Sequence, residues 1–338
     1  MPGTSTAMLP RIAAGFACFR VTRRRLHRRV VQASAVSCLV LVAAPSARGQ
    51  QSSPPVRPAR PAPPPPDVYL ISVSVENGAA KLGAPMNITD RLGYDNQPSF
   101  TSDGTGVFFT SVRDDAQADI YRYDIKTRAI SRVTTSAPES EYSATPIQGG
   151  RAISVVRVER DSTQRLWRFP LDGGAPTLIL EKVRPVGYHA WANDHTLVMF
   201  VLGTPNTLQL ADTRRGTADT LATNIGRSLH RIPGTETVSF VRKVSPTEWW
   251  IEALDPTTRE LKRIVRLPEG VEDYAWMAEG SIVCGRGSQL LRWTRGSRDD
   301  WREMADLSNA GVKGITRLAV SGRGDLIAFV ADGRAAPR

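Results

Sequence analysis

A strand–turn–strand unit recurs along this chain about every 44 residues, and that period constrains the fold more tightly than any other feature. The clearest copy is Gln97-Pro98-Ser99-Phe100-Thr101-Ser102-Asp103-Gly104-Thr105-Gly106-Val107-Phe108-Phe109-Thr110-Ser111, and a second runs from Val320 to Phe329. Aligning Gly104 with Gly324 sets Phe100 on Val320 and Phe109 on Phe329. Asp103-Gly104 supplies the positive φ that a tight hairpin needs. Trp191-Ala192-Asn193-Asp194 and Trp276-Met277-Ala278-Glu279-Gly280 match the same anchor and turn, and Pro146 to Gly150 and Ile232 to Thr235 match more loosely. The anchors Phe100, Pro146, Trp191, Ile232, Trp276 and Val320 are spaced 46, 45, 41, 44 and 44 residues.

A second hairpin follows each anchor but the last. These contain Asp119 to Asp124, Arg165 to Phe169, Thr207 to Leu210, Glu248 to Glu252 and Gln289 to Trp293, with turns such as Asp172-Gly173-Gly174 and Arg214-Arg215-Gly216. The runs are short, β-branched and aromatic, with no long amphipathic helix pattern, which argues for an all-β fold. Four short strands in about 44 residues make one propeller blade. Val320 lacks its second hairpin, whereas Asp67-Val68-Tyr69-Leu70-Ile71-Ser72-Val73, with a turn at Glu76-Asn77-Gly78, parallels Asp119 to Asp124. The sequence therefore predicts a six-bladed β-propeller of four-stranded antiparallel blades, closed by N-terminal strands that complete the last blade. Such closure leaves no exposed edge between first and last units.

The formal net charge of +11 invites a nucleic-acid partner until its location is read. Residues 1–49 hold eight arginines and no acid, residues 50–66 hold two more, and residues 67–338 keep 34 basic and 33 acidic side chains, a net of +1. The folded part thus offers no argument for nucleic acid. Residues 1–49 read as an export signal: Arg23-Arg24-Arg25-Leu26-His27-Arg28-Arg29, an apolar stretch from Val30 to Ala44, then Ala47-Arg48-Gly49 as a cleavage site after Gly49. The apolar stretch is too short and interrupted for a stable membrane span. Thr22-Arg23-Arg24-Arg25-Leu26 also resembles a twin-arginine signal, so the export route stays open. Residues 50–66, QQSSPPVRPARPAPPPP, form a Pro-rich linker, and the propeller is expected over 67–338. A periplasmic or secreted location follows. After cleavage only Cys284 remains, in the apolar run Ser281-Ile282-Val283-Cys284, where a buried small hydrophobe is expected.

Gln97 to Gly104 resembles the WD40-like PD40 repeat of the TolB family of bacterial propellers, with Ser102 where that family usually has Pro. The resemblance is good in this copy, fair at Val320 to Phe329 and weak elsewhere. It implies a periplasmic or exported propeller that binds an envelope protein or peptide. The α/β domain that precedes the TolB propeller has no counterpart, since the Pro-rich linker stands in its place.

The chemistry motifs are sparse. The chain has no Gly-x-Ser-x-Gly elbow, no P-loop, no His-x-x-x-His and no Cys pair, so no catalytic residue, metal ligand or cofactor is assigned. Segments entering each innermost strand line the mouth of a propeller channel. Here they contribute Tyr94, Asp95, Asn96, Glu141, Tyr142, Tyr188, His189, His230, Asp273 and Tyr274 as candidate binding residues. Two readings stand. One is a non-enzymatic module for an envelope protein, a peptide or a glycan. The other is a metal-dependent lyase or lactonase holding a divalent cation with Tyr188, His189, His230, Asp95 and Asp273. Trp249-Trp250 adds a candidate surface anchor, because adjacent strand residues face opposite sides.

Overall fold

The computed structural model describes residues 65–76, 79–113 and 117–333. The expected export signal and nearly all of the linker lie outside them. Six antiparallel sheets follow one another: five have four strands in sequence order from the inside out, and the sixth joins Thr316–Val320 and Leu326–Asp332 to Pro66–Glu76 and Ala79–Leu82, with Met86–Asn87 as a fifth short strand. The innermost strands are Tyr94–Phe100, Ser140–Pro146, Val186–Trp191, Ile225–Arg231, Tyr274–Trp276 and Thr316–Val320. Each touches the next, and the last touches the first, so the blades form a ring. Among the described residues the one helical element is a 3-10 turn, Ser308–Ala310, and no helix is long and apolar enough to cross a membrane.

Second strands such as Gly106–Val112, Ala152–Val158 and Leu326–Asp332 are buried almost throughout. Neighbouring blades cover both of their faces, which is why they read as continuous apolar runs and not as alternation. Outer strands such as Thr217–Thr223 are mostly polar and wet. The core is therefore a set of clusters between blades. One of them joins Phe240 and Leu254 of blade 4 to Val198 and Phe200 of blade 3.

The register corrects one anchor. The backbone N–H groups of Thr101, Ile147, Ile232, Met277 and Ser321 all close the same hairpin, as in Thr101 to Gly106 and Ile232 to Thr237. Ile232 is thus the equivalent of Thr101, and Arg231, paired with Val238, takes the position of Phe100, paired with Val107. Ile232 looks like an anchor because it too is buried, in the cluster that holds Trp276 and Val241.

Closure is as expected. Strand Pro66–Glu76 pairs with Leu326–Asp332 from Pro66↔Asp332 to Ser72↔Leu326, and Ala79–Leu82 adds the outer strand. Tyr69 stacks on Phe329 at 5.5 Å between ring centroids. The returning chain covers the joint. Asn87 Nδ2 donates to Asp67 Oδ2 at 2.8 Å, and the Val68 N–H donates to Thr89 Oγ1 at 3.0 Å. Val68, Leu70 and Ile71 of the closing strand are all buried, each contributing roughly 1.5–3 kcal/mol of transfer free energy. Ile71→Ala is accordingly expected to cost about 2–5 kcal/mol, read as a lower urea midpoint at unchanged slope. A wild-type midpoint would mean that the N-terminal strand does not carry closure.

Candidate functional site

Five of the six innermost strands are interrupted by a register shift. The breaks fall between Asn96 and Ser99, Tyr142 and Thr145, Val186 and Tyr188, Ile225 and Leu229, and Thr316 and Ala319. A bulge of this kind places an extra residue in one strand and re-aims its side chain. Gln97, Ser143 and Arg317 sit at these points with φ of 56°, 55° and 51°, a left-handed backbone costly for residues with a Cβ.

The result is a ring of side chains three positions before each anchor: Gln97, Ser143, Tyr188, Ser228, Asp273 and Arg317. They meet across the channel. Arg317 Nη2 donates to Tyr188 Oη at 2.9 Å, joining blade 6 to blade 3 on the opposite side. The Arg317 guanidinium also lies 4.9 Å from the Tyr188 ring centroid. Gln97 Nε2 donates to the same hydroxyl at 3.4 Å, while Gln97 Oε1 accepts from the Ser143 N–H at 3.0 Å. On the other flank, Arg227 grips Asp273 with Nη2–Oδ2 at 2.6 Å and Nε–Oδ1 at 3.2 Å, and Ser228 Oγ donates to Asp273 at 3.1 Å. Burial pushes the Asp273 carboxyl up, but the bonds from Arg227 and the charge of Arg317 prevail and hold it below the usual range.

A cavity of about 420 Å³ opens from this ring towards the hairpins that follow the innermost strands. Its floor includes Gln97, Ser143, Tyr188, Arg227 and Arg317, and its rim includes Ser102, Gln148, Asn193 and Arg231. Of the ten sequence candidates, Tyr188, His189 and His230 line it. Tyr94 and Tyr142 line a separate cleft with Arg91 and Arg113. Burial pushes the Tyr94 hydroxyl up to about 12. Asp95 and Glu141 are fully buried, Asp95 Oδ2 lying 3.2 Å from Arg91 Nε and Glu141 Oε1 accepting from Arg157 Nε at 3.1 Å. Desolvation raises both carboxyls. Asn96 Oδ1 accepts the neighbouring Gln97 N–H at 2.7 Å, and Tyr274 is fully buried beside His230, their ring centroids 4.9 Å apart. The structure thus gathers part of the expected set and adds Gln97, Ser143, Arg227 and Arg317. The signal for most of the ring is the position three before each anchor. At blade 4 the misplaced anchor points to Leu229 and hides Ser228.

Two serines tie the blades together beneath the cavity wall. Ser239 Oγ accepts from Tyr274 Oη at 2.7 Å and Trp276 Nε1 at 2.8 Å, and donates to the His230 carbonyl at 3.0 Å. Two blades earlier, Ser154 Oγ accepts from Trp191 Nε1 at 2.9 Å, contacts His189 Nε2 at 2.6 Å and donates to the Thr145 carbonyl at 3.2 Å. A hydroxyl has one proton and two lone pairs. The repeat therefore assigns the His189 proton to Nε2 and leaves Nδ1 as a lone-pair acceptor. Nδ1 is buried and has no partner among the described residues.

No protein-family model matches this chain, and none of the curated proteins matches it in sequence. Solved structures match it in fold. A protein assigned as TolB from Agrobacterium tumefaciens superposes with a TM-score of 0.62 at 13% identity, covering 80% of this chain and 99% of that one. TolB from Acinetobacter baumannii gives 0.51 at 11% identity, covering 78% of this chain and 63% of that one. An oligogalacturonate lyase in complex with manganese gives 0.51 at 15% identity, with 79% and 86% covered. This likeness shows the six-bladed propeller fold and extends to fold alone.

Burial depresses His189 to about 3 and His230 to about 4, the latter against the pull of Asp273. Both are neutral when folded and titrate near 6.5 when unfolded. The unfolded chain then binds more protons between about pH 6.5 and 4, so stability is full above that window and falls through it, by about 1.4 kcal/mol per pH unit per proton. Asp95 and Glu141, raised by burial, oppose this at the acid end. Urea midpoints measured from pH 7.5 to about 5 are expected to fall, and the slope to shrink by about one proton in His189→Gln. An unchanged slope in that variant would show that His189 charges in the folded ring.

Proposed function

We propose that this chain is an exported, non-enzymatic binding module of the cell envelope that holds a protein or peptide segment in its channel cavity. The carrying observation is the cavity itself, walled by side chains that bulges turn inward from separate blades. Its volume, about 420 Å³, falls within the roughly 300–1,000 Å³ of small-ligand sites. The PD40-like repeat and the similarity of fold to TolB-type propellers support the same reading. So does the basic, then apolar, leader over residues 1–49, which points to a periplasmic or secreted mature chain.

The lyase or lactonase reading asks for a divalent cation among channel histidines and carboxylates. The side chains offered for it have other engagements. His189 is bonded to Ser154, His230 lies against Tyr274, and Asp95 and Asp273 face Arg91 and Arg227. Among the described residues no group of three His, Cys, Asp or Glu is placed to hold a metal. A glycan would want an open aromatic face. Tyr188, Trp249 and Trp250 each carry a cation over the ring, from Arg317, Lys243 and Arg263 respectively. A peptide asks for neither.

A photo-crosslinking residue at Gln148 or Asn193, on the cavity rim, is expected to give discrete protein adducts in intact envelopes. The same probe at Thr220, on an outer strand, is expected to give none. Equal labelling at both places would discard the channel as the binding site. Metal-dependent turnover of lactones or oligosaccharides by the purified protein, lost on His189→Ala/His230→Ala, would replace the binding reading with the enzymatic one.

A further inference from the structure

The residues lining the cavity include three arginines, Arg227, Arg231 and Arg317, and no Asp or Glu. This is out of keeping with a folded region whose net charge is only +1. Arg227 is neutralised by Asp273 and Glu272. Arg317 is held only by the Tyr188 hydroxyl and ring, and Arg231 donates to the Thr235 carbonyl. Among the described residues no carboxylate lies within ion-pair distance of either. The Asp273 carboxylate that feels the charge of Arg317 is bonded to Arg227, so the pair of guanidinium groups leaves positive charge in a partly dry cavity for an anion to meet. On the same wall the His189 ring is buried, with Nε2 against Ser154 Oγ and Nδ1 closed off from the cavity.

We propose that the cavity recognises a carboxylate, the free C-terminus of a peptide, with Arg317 as the anchoring cation. The proposal rests on the binding reading of this cavity and names what it takes. Three observations favour a peptide end. Planar guanidinium matches a carboxylate in fork-to-fork geometry. Arg317 is half-buried and Arg231 exposed, so a chain end can descend to the deeper cation while an internal segment would have to double back. The lining residues include neither a helix N-terminus nor a glycine-rich loop to cradle a phosphate. Pro98, Ala144, Ile147 and Leu318 supply apolar wall for the residues behind the carboxylate.

The test uses the full chain, immobilised, and a mixed library of tripeptides offered as free acids and as C-terminal amides, with capture quantified by mass spectrometry. Free acids are expected to be retained roughly tenfold or more over their amides, and Arg317→Gln to abolish that preference. Arg317→Lys, which keeps charge without the fork, is expected to restore part of it. Thermal unfolding of each variant separates lost binding from lost fold. Equal retention of acids and amides would overturn the carboxylate assignment and leave the peptide-binding reading intact. Retention of neither library would overturn both. Preferential capture of uronic-acid oligomers or inorganic phosphate would replace the peptide end with that anion.

Discussion

The ring stands on one set of backbone hydrogen bonds, those between Pro66–Glu76 and Leu326–Asp332. Without them the edges of a second and a third strand lie open and the clusters on either side of the joint lose a wall. One cluster contains Val68 and Leu70 with Phe109 of blade 1, and the other contains Ile71 and Phe329 with Val283 of blade 5. The same constraint positions the channel. Arg317 belongs to blade 6 and reaches Tyr188 of blade 3 only because closure holds the innermost strands in a circle. Closure and cavity are thus coupled through the backbone, although no closing-strand side chain lines the cavity.

The channel lining follows a simple rule with one exception at each end of its scale. Every blade offers one residue at the same height, and in five blades a bulge turns the strand there. Blade 5 has no bulge in its innermost pair, its innermost strand Tyr274–Trp276 is the shortest of the set, and its residue at that height, Asp273, is the ring's one acid. Asp273 satisfies Arg227 and leaves Arg317 to Tyr188. A different residue at position 273 would therefore redistribute charge on both flanks of the cavity.

Much of this was legible from residues alone, and the limits are physical. The period was readable because hairpin turns require Gly or Asp at fixed places, as at Asp103-Gly104. The closing strand was readable because Asp67 to Val73 repeats the pattern of a blade's third strand. The bulges were not readable, because Gln97, Ser143 and Arg317 adopt left-handed backbone without glycine to announce it. Their neighbours hold them there, as Gln97 does for Ser143. The slip at Ile232 has a similar origin. Burial alone does not distinguish a residue facing the next blade from its neighbour one step along, and only the hydrogen bonds of the hairpin fix which is which. The candidate carboxylates illustrate a third limit. Asp95 and Glu141 stand at strand entries as expected, yet the guanidinium groups that engage them come from a loop and from a second strand.

The pairing of the first strand with the last also dictates an order of events. Pro66–Glu76 leaves the ribosome before its partner Leu326–Asp332 exists, so it must wait through the synthesis of nearly the whole domain. Contacts this distant in sequence are slow to form, because loop-closure entropy opposes them until the intervening blades have condensed. Ring completion is then the final step of folding, and the cavity with its crossing Arg317–Tyr188 bar comes into being only after the chain has been made in full.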